Sequence, residues 1–204
     1  MISNILFDIG VVLLHLRYED AAARIIPMCS PEKRGRLGTF LNLIQRDPLV
    51  AEYERGRMGP EEFFRHFVER TGFRGSMDDF KKIWCSIFHE NAPMIRFGRE
   101  LAKKYNVYFL TNAGCMHVPL IYDLFSSLRF FKDDAVSCYL GEVKPDRAFY
   151  EKALAKFGIP ADTCLFIDDR PENIGGAVRF GLRSILYTTP EETIPAIRKA
   201  LAAP

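Results

Sequence analysis

The sequence predicts an α/β protein that has a mostly parallel sheet and an inserted bundle of helices. After about residue 94, short apolar runs alternate with helical patterns, and such alternation produces βαβ crossovers in a parallel sheet. The stretch from Tyr18 to about Phe88 offers no good strand candidate and indicates about four helices. We therefore expect a Rossmann-like, doubly wound core from residues 1–15 and 94–204, and a helical cap inserted as residues 16–93.

The strands of the core are predicted from short apolar runs bounded by turn residues. The first run, residues 5–7, stops before a turn that contains Gly10, and residues 11–16 form a second extended piece. Further strands are expected at residues 107–110, 135–139, 164–167 and 184–187. Helices are expected at residues 93–104, 117–126, 172–180 and 194–202, and one more begins at Pro145.

The helices of the insertion are predicted from their ends. Pro60 is followed by two acidic residues, which suits the first turn of a helix, and Gly72 suits its end. Ser76 and Asp79 have the spacing of a capping box before an apolar run.

Charge and hydropathy exclude several classes of partner. The 204 residues carry a formal net charge of +2 and the basic residues are scattered, so we expect no nucleic acid partner. The amino terminus carries no basic leader, and no stretch approaches the about 20 apolar residues that a membrane span needs. We expect a cytoplasmic protein without a membrane partner, and the sequence indicates no oligomeric state.

The cysteines argue against a disulfide framework. Their number is odd and they include no close pair or metal-type spacing. Core thiols in a reducing cytosol are expected at Cys29, Cys85, Cys115, Cys138 and Cys164.

Polar residues stand at the carboxyl ends of three predicted strands. Asp8 follows the first strand, Thr111 ends a second, and Asp168 and Asp169 end a third, while Lys144 precedes a helix. In an open parallel sheet, ligands bind outside the carboxyl ends of the strands. We therefore expect these residues to meet at one edge of the sheet.

Together these residue types suit phosphoryl transfer with Mg²⁺. The carboxylates of Asp8 and Asp169 supply hard oxygen ligands. Thr111 can donate a hydrogen bond to a phosphate, and Lys144 can neutralise developing charge. A carboxylate such as Asp8 can attack phosphorus to form an aspartyl-phosphate that water then hydrolyses.

Each of these residues also has a simpler interpretation. Asp8 could cap a turn, Thr111 could cap a helix, and Lys144 could be a solvated surface residue. Asp168 could pair with Lys144. The joint occurrence of all four features, in this order, favours the phosphoryl-transfer site.

Four motifs in this order resemble the haloacid dehalogenase (HAD) superfamily of hydrolases. They are Phe7-Asp8-Ile9-Gly10-Val11-Val12-Leu13, Phe109-Leu110-Thr111-Asn112, Lys144-Pro145-Asp146 and Phe166-Ile167-Asp168-Asp169-Arg170-Pro171-Glu172-Asn173. Within the superfamily the chain looks most like cap-bearing sugar-phosphate phosphatases of the α-D-glucose-1-phosphatase type and the amino-terminal phosphatase domain of soluble epoxide hydrolases. Residues 52–56 are similar to part of their cap.

The resemblance implies a nucleophile and a metal site. Asp8 would be the nucleophile, and Mg²⁺ would bind Asp8, the backbone carbonyl of Gly10 and Asp169. Asp168 would assist at the metal, and Asn173 would support the metal site.

The resemblance also implies how a substrate is held. Thr111, Asn112 and Lys144 would bind the phosphoryl group, and Asp8, Thr111 and Lys144 would form the catalytic set. The expected activity is hydrolysis of a small phosphorylated metabolite such as a sugar phosphate, with a cap that selects the substrate.

One position departs from the family pattern. Most phosphatases of the superfamily carry a second Asp two residues after the nucleophile as general acid and base, and Gly10 stands there in this chain. General acid–base catalysis typically contributes about 10²–10⁴ in rate. The nearest substitutes by position are His15, Glu52, Glu54 and His117.

This departure leaves two alternatives to a phosphatase. One is a metal-independent 2-haloacid dehalogenase, in which Asp8 would attack carbon. The other is a weakly active protein that binds a phosphorylated ligand. Asp168 and Asp169 disfavour the metal-free alternative, because adjacent carboxylates repel and raise each other's pKa when no cation is present.

Overall fold

A computed structural model of the chain describes residues 1–33 and 47–202. The strands are β1 (Asn4–Phe7), β2 (Leu14–Leu16), β3 (Phe88–Glu90), β4 (Asn106–Thr111), β5 (Asp133–Val136), β6 (Cys164–Asp168) and β7 (Arg183–Leu186). The main sheet has the order β5-β4-β1-β6-β7, and all of its pairings are parallel. The predicted α/β fold with a mostly parallel sheet is confirmed.

Helices cover both faces of this sheet. The helices include Tyr18–Ile25, Pro48–Glu54, Pro60–Thr71, Met77–Trp84, Ala92–Leu101, His117–Leu124, Ser137–Leu140, Arg147–Phe157, Pro171–Phe180 and Pro190–Ala202. Ile5 and Phe7 of β1 pack with the helices that begin at Ala92 and Pro190. Leu6, between them, packs on the opposite face with the helices that begin at Arg147 and Pro171. Burial on both faces explains why the central strand is apolar from Ile5 to Phe7.

The register of the three central strands brings their carboxyl ends together. Phe7 lies opposite Phe109 of β4 and opposite Ile167 of β6. Asp8 therefore leaves the sheet beside the last residues of both neighbouring strands. This edge is where the sequence places the polar residues.

The helices between Tyr18 and Trp84 share an aromatic core of their own. Phe63 stacks on Tyr53 with ring centroids 4.3 Å apart and meets Trp84 edge-on at 5.5 Å. The predicted capping box of Ser76 and Asp79 is confirmed at the start of Met77–Trp84. The exact cap boundaries at residues 16 and 93 stay a prediction.

Several predicted element boundaries in the core are wrong. The extended piece expected at residues 11–16 is a strand only from Leu14, and the last helix begins at Pro190 instead of at residue 194. Residues 135–139 are not one strand, because β5 stops at Val136 and the chain turns into the short helix Ser137–Leu140. The Ser137 hydroxyl accepts a hydrogen bond from the backbone N–H of Ala113, which holds this turn against the loop after β4. The helix expected from Pro145 begins at Arg147, because Asp146 is still extended and forms its N-cap.

A small sheet near the insertion was not expected. β3 pairs antiparallel with β2, and His15 lies opposite His89. Residues 88–90 are too short and too polar to be recognised as a strand from the sequence, since their pairing partner lies more than 70 residues away.

Two of the five cysteines contradict the prediction of free core thiols. Cys115 and Cys138 form a disulfide with a Cα–Cα distance of 5.8 Å. The loop after β4 and the turn after β5 are neighbours at the edge of the sheet, which brings together cysteines 23 residues apart. Cys29, Cys85 and Cys164 are buried thiols outside this disulfide, as predicted. No helix in the described part of the chain has both the length and the apolar character needed to cross a membrane.

Candidate active site

A cavity of about 320 Å³ opens at the carboxyl edge of the sheet. Most of the site residues expected from the sequence line it, namely Asp8, Gly10, Thr111, Asn112, Lys144, Asp169 and Asn173. Asp168 lies beneath the cavity and is fully buried. Val11, Leu16, Tyr18, Glu54, Arg170 and Glu172 complete the lining.

Lys144 forms the centre of a buried network. Its side chain is almost fully buried, and Nζ donates to Asp8 Oδ1 at 2.6 Å, Asp168 Oδ2 at 2.6 Å and the Leu110 carbonyl at 2.8 Å. An ammonium group has three protons, so each is used. The alternative that Lys144 is a solvated surface residue is wrong.

The charges in this network act on one another. Burial by itself lowers the pKa of Lys144, but the carboxylates of Asp168 and Asp8 raise it overall, so the amine stays charged. Burial raises the pKa of Asp8 to about 7, against the opposing effect of the Lys144 ammonium. The position of Lys144 thus favours the ionised form of a carboxylate that burial would otherwise protonate.

Asp168 organises the loop that follows β6. Its Oδ1 accepts hydrogen bonds from the backbone N–H of Arg170 at 2.9 Å and from Asn173 Nδ2 at 2.9 Å. Because Oδ2 is bound to Lys144, both oxygens of Asp168 are engaged by protein groups. Asn173 contacts the predicted metal site through Asp168.

Asn112 holds Lys144 in place through its backbone. The Asn112 amide donates to the Lys144 carbonyl at 2.9 Å and accepts from the Lys144 N–H at 2.9 Å. The side chain predicted to bind a phosphoryl group therefore fixes the neighbouring loop. Thr111 ends β4 and lines the cavity, and its hydroxyl has no hydrogen-bond partner within the described residues.

The loop after β1 turns sharply around Gly10. The Gly10 carbonyl accepts from the Val12 N–H at 2.6 Å, and the Asp8 N–H donates to the Ile167 carbonyl at 2.9 Å. Val11 has a φ of 60°, a left-handed conformation that is strained for a β-branched residue. Such strain concentrates at functional sites, where the surrounding structure imposes it.

The donor set at this edge suits Mg²⁺. Asp8 and Asp169 offer carboxylate oxygens to one cavity, beside the backbone of Gly10. Burial, and then the charge of Asp168, raise the pKa of Asp169, so a cation there would relieve an unfavourable arrangement of carboxylates. The described residues contain no group of three His, Cys, Asp or Glu side chains that could hold a metal alone. Mg²⁺ commonly binds one or two carboxylates and keeps several waters, which fits this set.

Of the four proposed substitutes for a proton donor, the structure brings one to the cavity. Glu54, at the end of Pro48–Glu54, lines it. His15 is exposed on β2, and Glu52 pairs with Arg57 at 3.0 Å. The ring of His117 stacks against Trp84, away from the cavity lining, and burial lowers the pKa of His117 to about 4.

Five residues of the lining were not among the predicted site residues, namely Val11, Leu16, Tyr18, Arg170 and Glu172. Tyr18 gave no signal, because a lone tyrosine at the start of a helix is unremarkable in sequence. Arg170 stands directly after Asp169 in the last motif, and this adjacency is the sequence feature that could have identified it as a residue of the site. Its guanidinium pairs with Glu172, with Nε 2.8 Å from Oε1.

Comparisons with known proteins agree with this geometry. The HAD-hydrolase-like family model matches residues 143–204. The chain is similar to D-ribitol-5-phosphate phosphatase of Bacteroides thetaiotaomicron, with 24% identity over 185 residues that cover 85% of this chain and 86% of that one. It is also similar to flavin mononucleotide hydrolase 1 of Arabidopsis thaliana, with 26% identity over 70% of this chain and 58% of that one.

Solved structures share the whole fold. A predicted HAD-like family hydrolase from Porphyromonas gingivalis matches with a TM-score of 0.85 and 26% identity over 100% of both chains. The HAD family enzyme bt-2542 of B. thetaiotaomicron, in complex with magnesium and inorganic phosphate, matches with a TM-score of 0.77 and 22% identity over 93% of this chain and 96% of that one. The resemblance to HAD-like hydrolases that the motifs indicate is confirmed by the family model over residues 143–204 and by the likeness of fold over the whole chain, and it supports a hydrolase enzyme.

Proposed function

We propose that this enzyme is a Mg²⁺-dependent phosphatase that hydrolyses a small phosphorylated metabolite, such as a sugar phosphate, with Asp8 as nucleophile. The observation that carries the proposal is the contact between Lys144 Nζ and Asp8 Oδ1 at 2.6 Å, inside a cavity lined by a second carboxylate, Asp169. A nucleophilic carboxylate must be ionised, and a fixed ammonium beside it favours that form.

The proposed reaction has two steps. Asp8 attacks phosphorus through Oδ2, since Oδ1 is held by Lys144, and the bond from phosphorus to the ester oxygen breaks as that oxygen takes up a proton. Water then attacks the phosphorus of the aspartyl-phosphate and loses a proton. The bond between phosphorus and the Asp8 oxygen breaks, so that phosphate leaves and the Asp8 carboxylate is regenerated.

The chain also offers groups for the phosphoryl oxygens. The Thr111 hydroxyl at the cavity wall can donate a hydrogen bond, and Lys144 supplies positive charge from below. Asp8, Asp169 and the Gly10 carbonyl would hold Mg²⁺, which would neutralise charge on the phosphoryl group.

The relatives support the reaction, and the volume of the cavity supports the size of the substrate. D-ribitol-5-phosphate and flavin mononucleotide are both phosphate monoesters by name, although their organic parts differ widely. A relative of similar fold is a complex with magnesium and inorganic phosphate. A cavity of about 320 Å³ lies at the small end of ligand pockets, which favours a compact substrate.

The test is phosphate release from a panel of sugar phosphates and from p-nitrophenyl phosphate, with and without Mg²⁺. We expect turnover that needs the divalent cation and is lost in Asp8→Asn. Asp123→Asn is a matched control, because Asp123 is exposed and lies outside the cavity lining. Turnover that persists in EDTA or in Asp8→Asn would contradict the proposal, and metal-independent halide release from a 2-haloacid would support the dehalogenase alternative.

A further inference from the structure

The acidic residues that the core brings to the cavity already have other roles or partners: Asp8 is the proposed nucleophile, Asp169 is a proposed metal ligand, and Glu172 pairs with Arg170. Gly10 has no side chain, and a Cβ placed there would lie 3.6 Å from Asp8 Oδ2 and 3.5 Å from Leu16 Cδ1. The ammonium group of Lys144 donates all three of its protons to protein oxygens, and because its pKa is raised it stays protonated. A phosphatase with this core therefore needs its acid and base from another part of the chain.

The segment from Tyr53 to Gly56 docks onto the core on both sides of Glu54. The backbone N–H of Met116 donates to the Tyr53 hydroxyl at 2.8 Å. The ring of Tyr53 occupies the space beside Gly114, where a Cβ would lie 1.9 Å from the ring.

The other side of the segment is held as firmly. Arg55 Nη2 donates to Asp146 Oδ2 at 2.8 Å, and a Cβ on Gly56 would lie 2.1 Å from the Cys138 carbonyl. Gly56 also has a φ of 70°, which suits glycine at the turn that follows the helix. With Tyr53 and Arg55 both anchored, the side chain between them is directed to the cavity.

Glu54 is the carboxylate that the helical insertion contributes to the cavity, as far as the chain is described. No group within residues 1–33 and 47–202 forms a hydrogen bond with it. Burial raises the pKa of Glu54 to about 7, and the positive charges of Arg170 and Lys144 oppose the shift. Asp8, Asp169 and Glu172 are the other acidic residues that face the same cavity.

We infer that Glu54 is the general acid and base of this enzyme, supplied by the insertion in place of a side chain at position 10. The inference rests on the proposed phosphatase function. His15, Glu52 and His117 do not reach the cavity, as described above, so the geometry selects Glu54 from the four candidates.

The two steps balance with Glu54 as the proton carrier. In the first, an Asp8 oxygen bonds to phosphorus, the ester P–O bond breaks, and the leaving oxygen takes the proton of the Glu54 carboxyl to become an alcohol. In the second, the Glu54 carboxylate takes a proton from water as the water oxygen bonds to phosphorus. The P–O bond to Asp8 then breaks, phosphate leaves, and Glu54 is again protonated.

The test compares Glu54→Gln with Glu52→Gln on two substrates of different leaving group. Glu52 lies on the same helix, pairs with Arg57 and does not line the cavity. An alkyl phosphate needs a proton on its leaving oxygen, whereas nitrophenolate leaves without one. We expect Glu54→Gln to lower kcat/KM for the alkyl phosphate by about 10²–10⁴-fold and for p-nitrophenyl phosphate by less than about tenfold.

Two further readouts separate a proton carrier from a structural role. With p-nitrophenyl phosphate, Glu54→Gln should release a stoichiometric burst of nitrophenolate and then slow down, because the second step lacks its base. The fall of kcat/KM for the alkyl phosphate at high pH should also disappear in this variant. The ratio of kcat/KM between the two substrates does not depend on the fraction of folded enzyme.

The outcomes distinguish this inference from the proposed function. If the wild-type enzyme hydrolyses neither substrate, or Asp8→Asn is as active as wild type, the proposed function fails. If wild type is active and Asp8→Asn is not, but Glu54→Gln loses both substrates equally or behaves like Glu52→Gln, the inference alone is overturned. A selective loss on the alkyl phosphate with a burst supports it.

Discussion

Replacing Lys144 by methionine keeps the length of the side chain but removes the ammonium that joins Asp8 to Asp168. The two carboxylates and the Leu110 carbonyl each lose a donor at 2.6–2.8 Å in a buried setting. Removing one partner of a buried ion pair destabilises a protein by about 3–5 kcal/mol. For a chain of this size, about 2–4 °C of melting temperature is lost per kcal/mol, so we expect a fall of about 6–20 °C.

The loss should depend on pH in a defined direction. Without Lys144, Asp8 and Asp168 repel each other, and the pair can lower its energy by taking up a proton. Lys144→Met should therefore be most unstable relative to wild type above neutral pH and should recover part of the difference near pH 5. Denaturant unfolding in EDTA across this range measures the effect.

Lys152→Met is the matched control. Lys152 bonds to Glu142 at 2.9 Å, but its side chain is 48% exposed, and such surface pairs are worth at most about 1 kcal/mol. If Lys144→Met and Lys152→Met unfold at the same denaturant concentration at every pH, the reasoning about the buried network is refuted.

Three further predictions concern other parts of the site. Gly10→Asp should fold, because φ is not positive there and its Cβ would meet only ordinary contacts, and in the Glu54→Gln background we expect it to raise turnover of alkyl phosphates about tenfold or more; no gain in that background would contradict the exchange of the proton carrier between these two positions. Cys115→Ser should lower the free energy of unfolding by about 3 kcal/mol, from the 23-residue separation of the disulfide, and a difference from wild type that survives in reductant would contradict this. Glu54 has a raised pKa in the folded protein, about 7 against 4.5, so it contributes stability at low pH that is lost as pH rises through about 7. Urea unfolding of Glu54→Gln should therefore show a flatter pH dependence than wild type, by at most about 3 kcal/mol, and identical slopes would refute the shift.

The strands and the edge of the site could be predicted because their physics is local. A run such as Ile5 to Phe7 is apolar throughout, since both faces of a central parallel strand are buried. A polar residue such as Asp8 directly after that run has to emerge at the carboxyl edge. The sequence pattern therefore predicts both the sheet and the edge at which its polar residues lie.

What the sequence could not supply depends on distant parts of the chain. The run from Ala135 to Tyr139 has the composition of a strand, and its break after Val136 comes from a bond between Ser137 and Ala113. The disulfide depends on the adjacency of two loops, which no cysteine spacing encodes. The burial of Lys144 depends on three hydrogen-bond acceptors at the ends of separate strands, which are contributed by Asp8, Leu110 and Asp168.

The choice among the four proton-donor candidates had the same limit. In the sequence Glu52 and Glu54 are equivalent, because both are acidic residues of the segment 52–56 that is similar to part of the family's cap. Only the docking of Tyr53 and Arg55 on the core turns Glu54 inward and leaves Glu52 with Arg57.

The separate aromatic core of the insertion has a consequence for how substrate preference can change over evolution. Phe63, Phe67 and Phe80 pack among themselves at a distance from the cavity lining, while Leu16, Tyr18 and Glu54 reach it from the ends of neighbouring elements. Leu16 and Tyr18 also pack against this cluster from its margin, so a replacement that keeps their apolar contact would reshape the cavity while the buried rings stay in place. New specificities are thus accessible by single substitutions at these two positions that retain the apolar contact with the cluster.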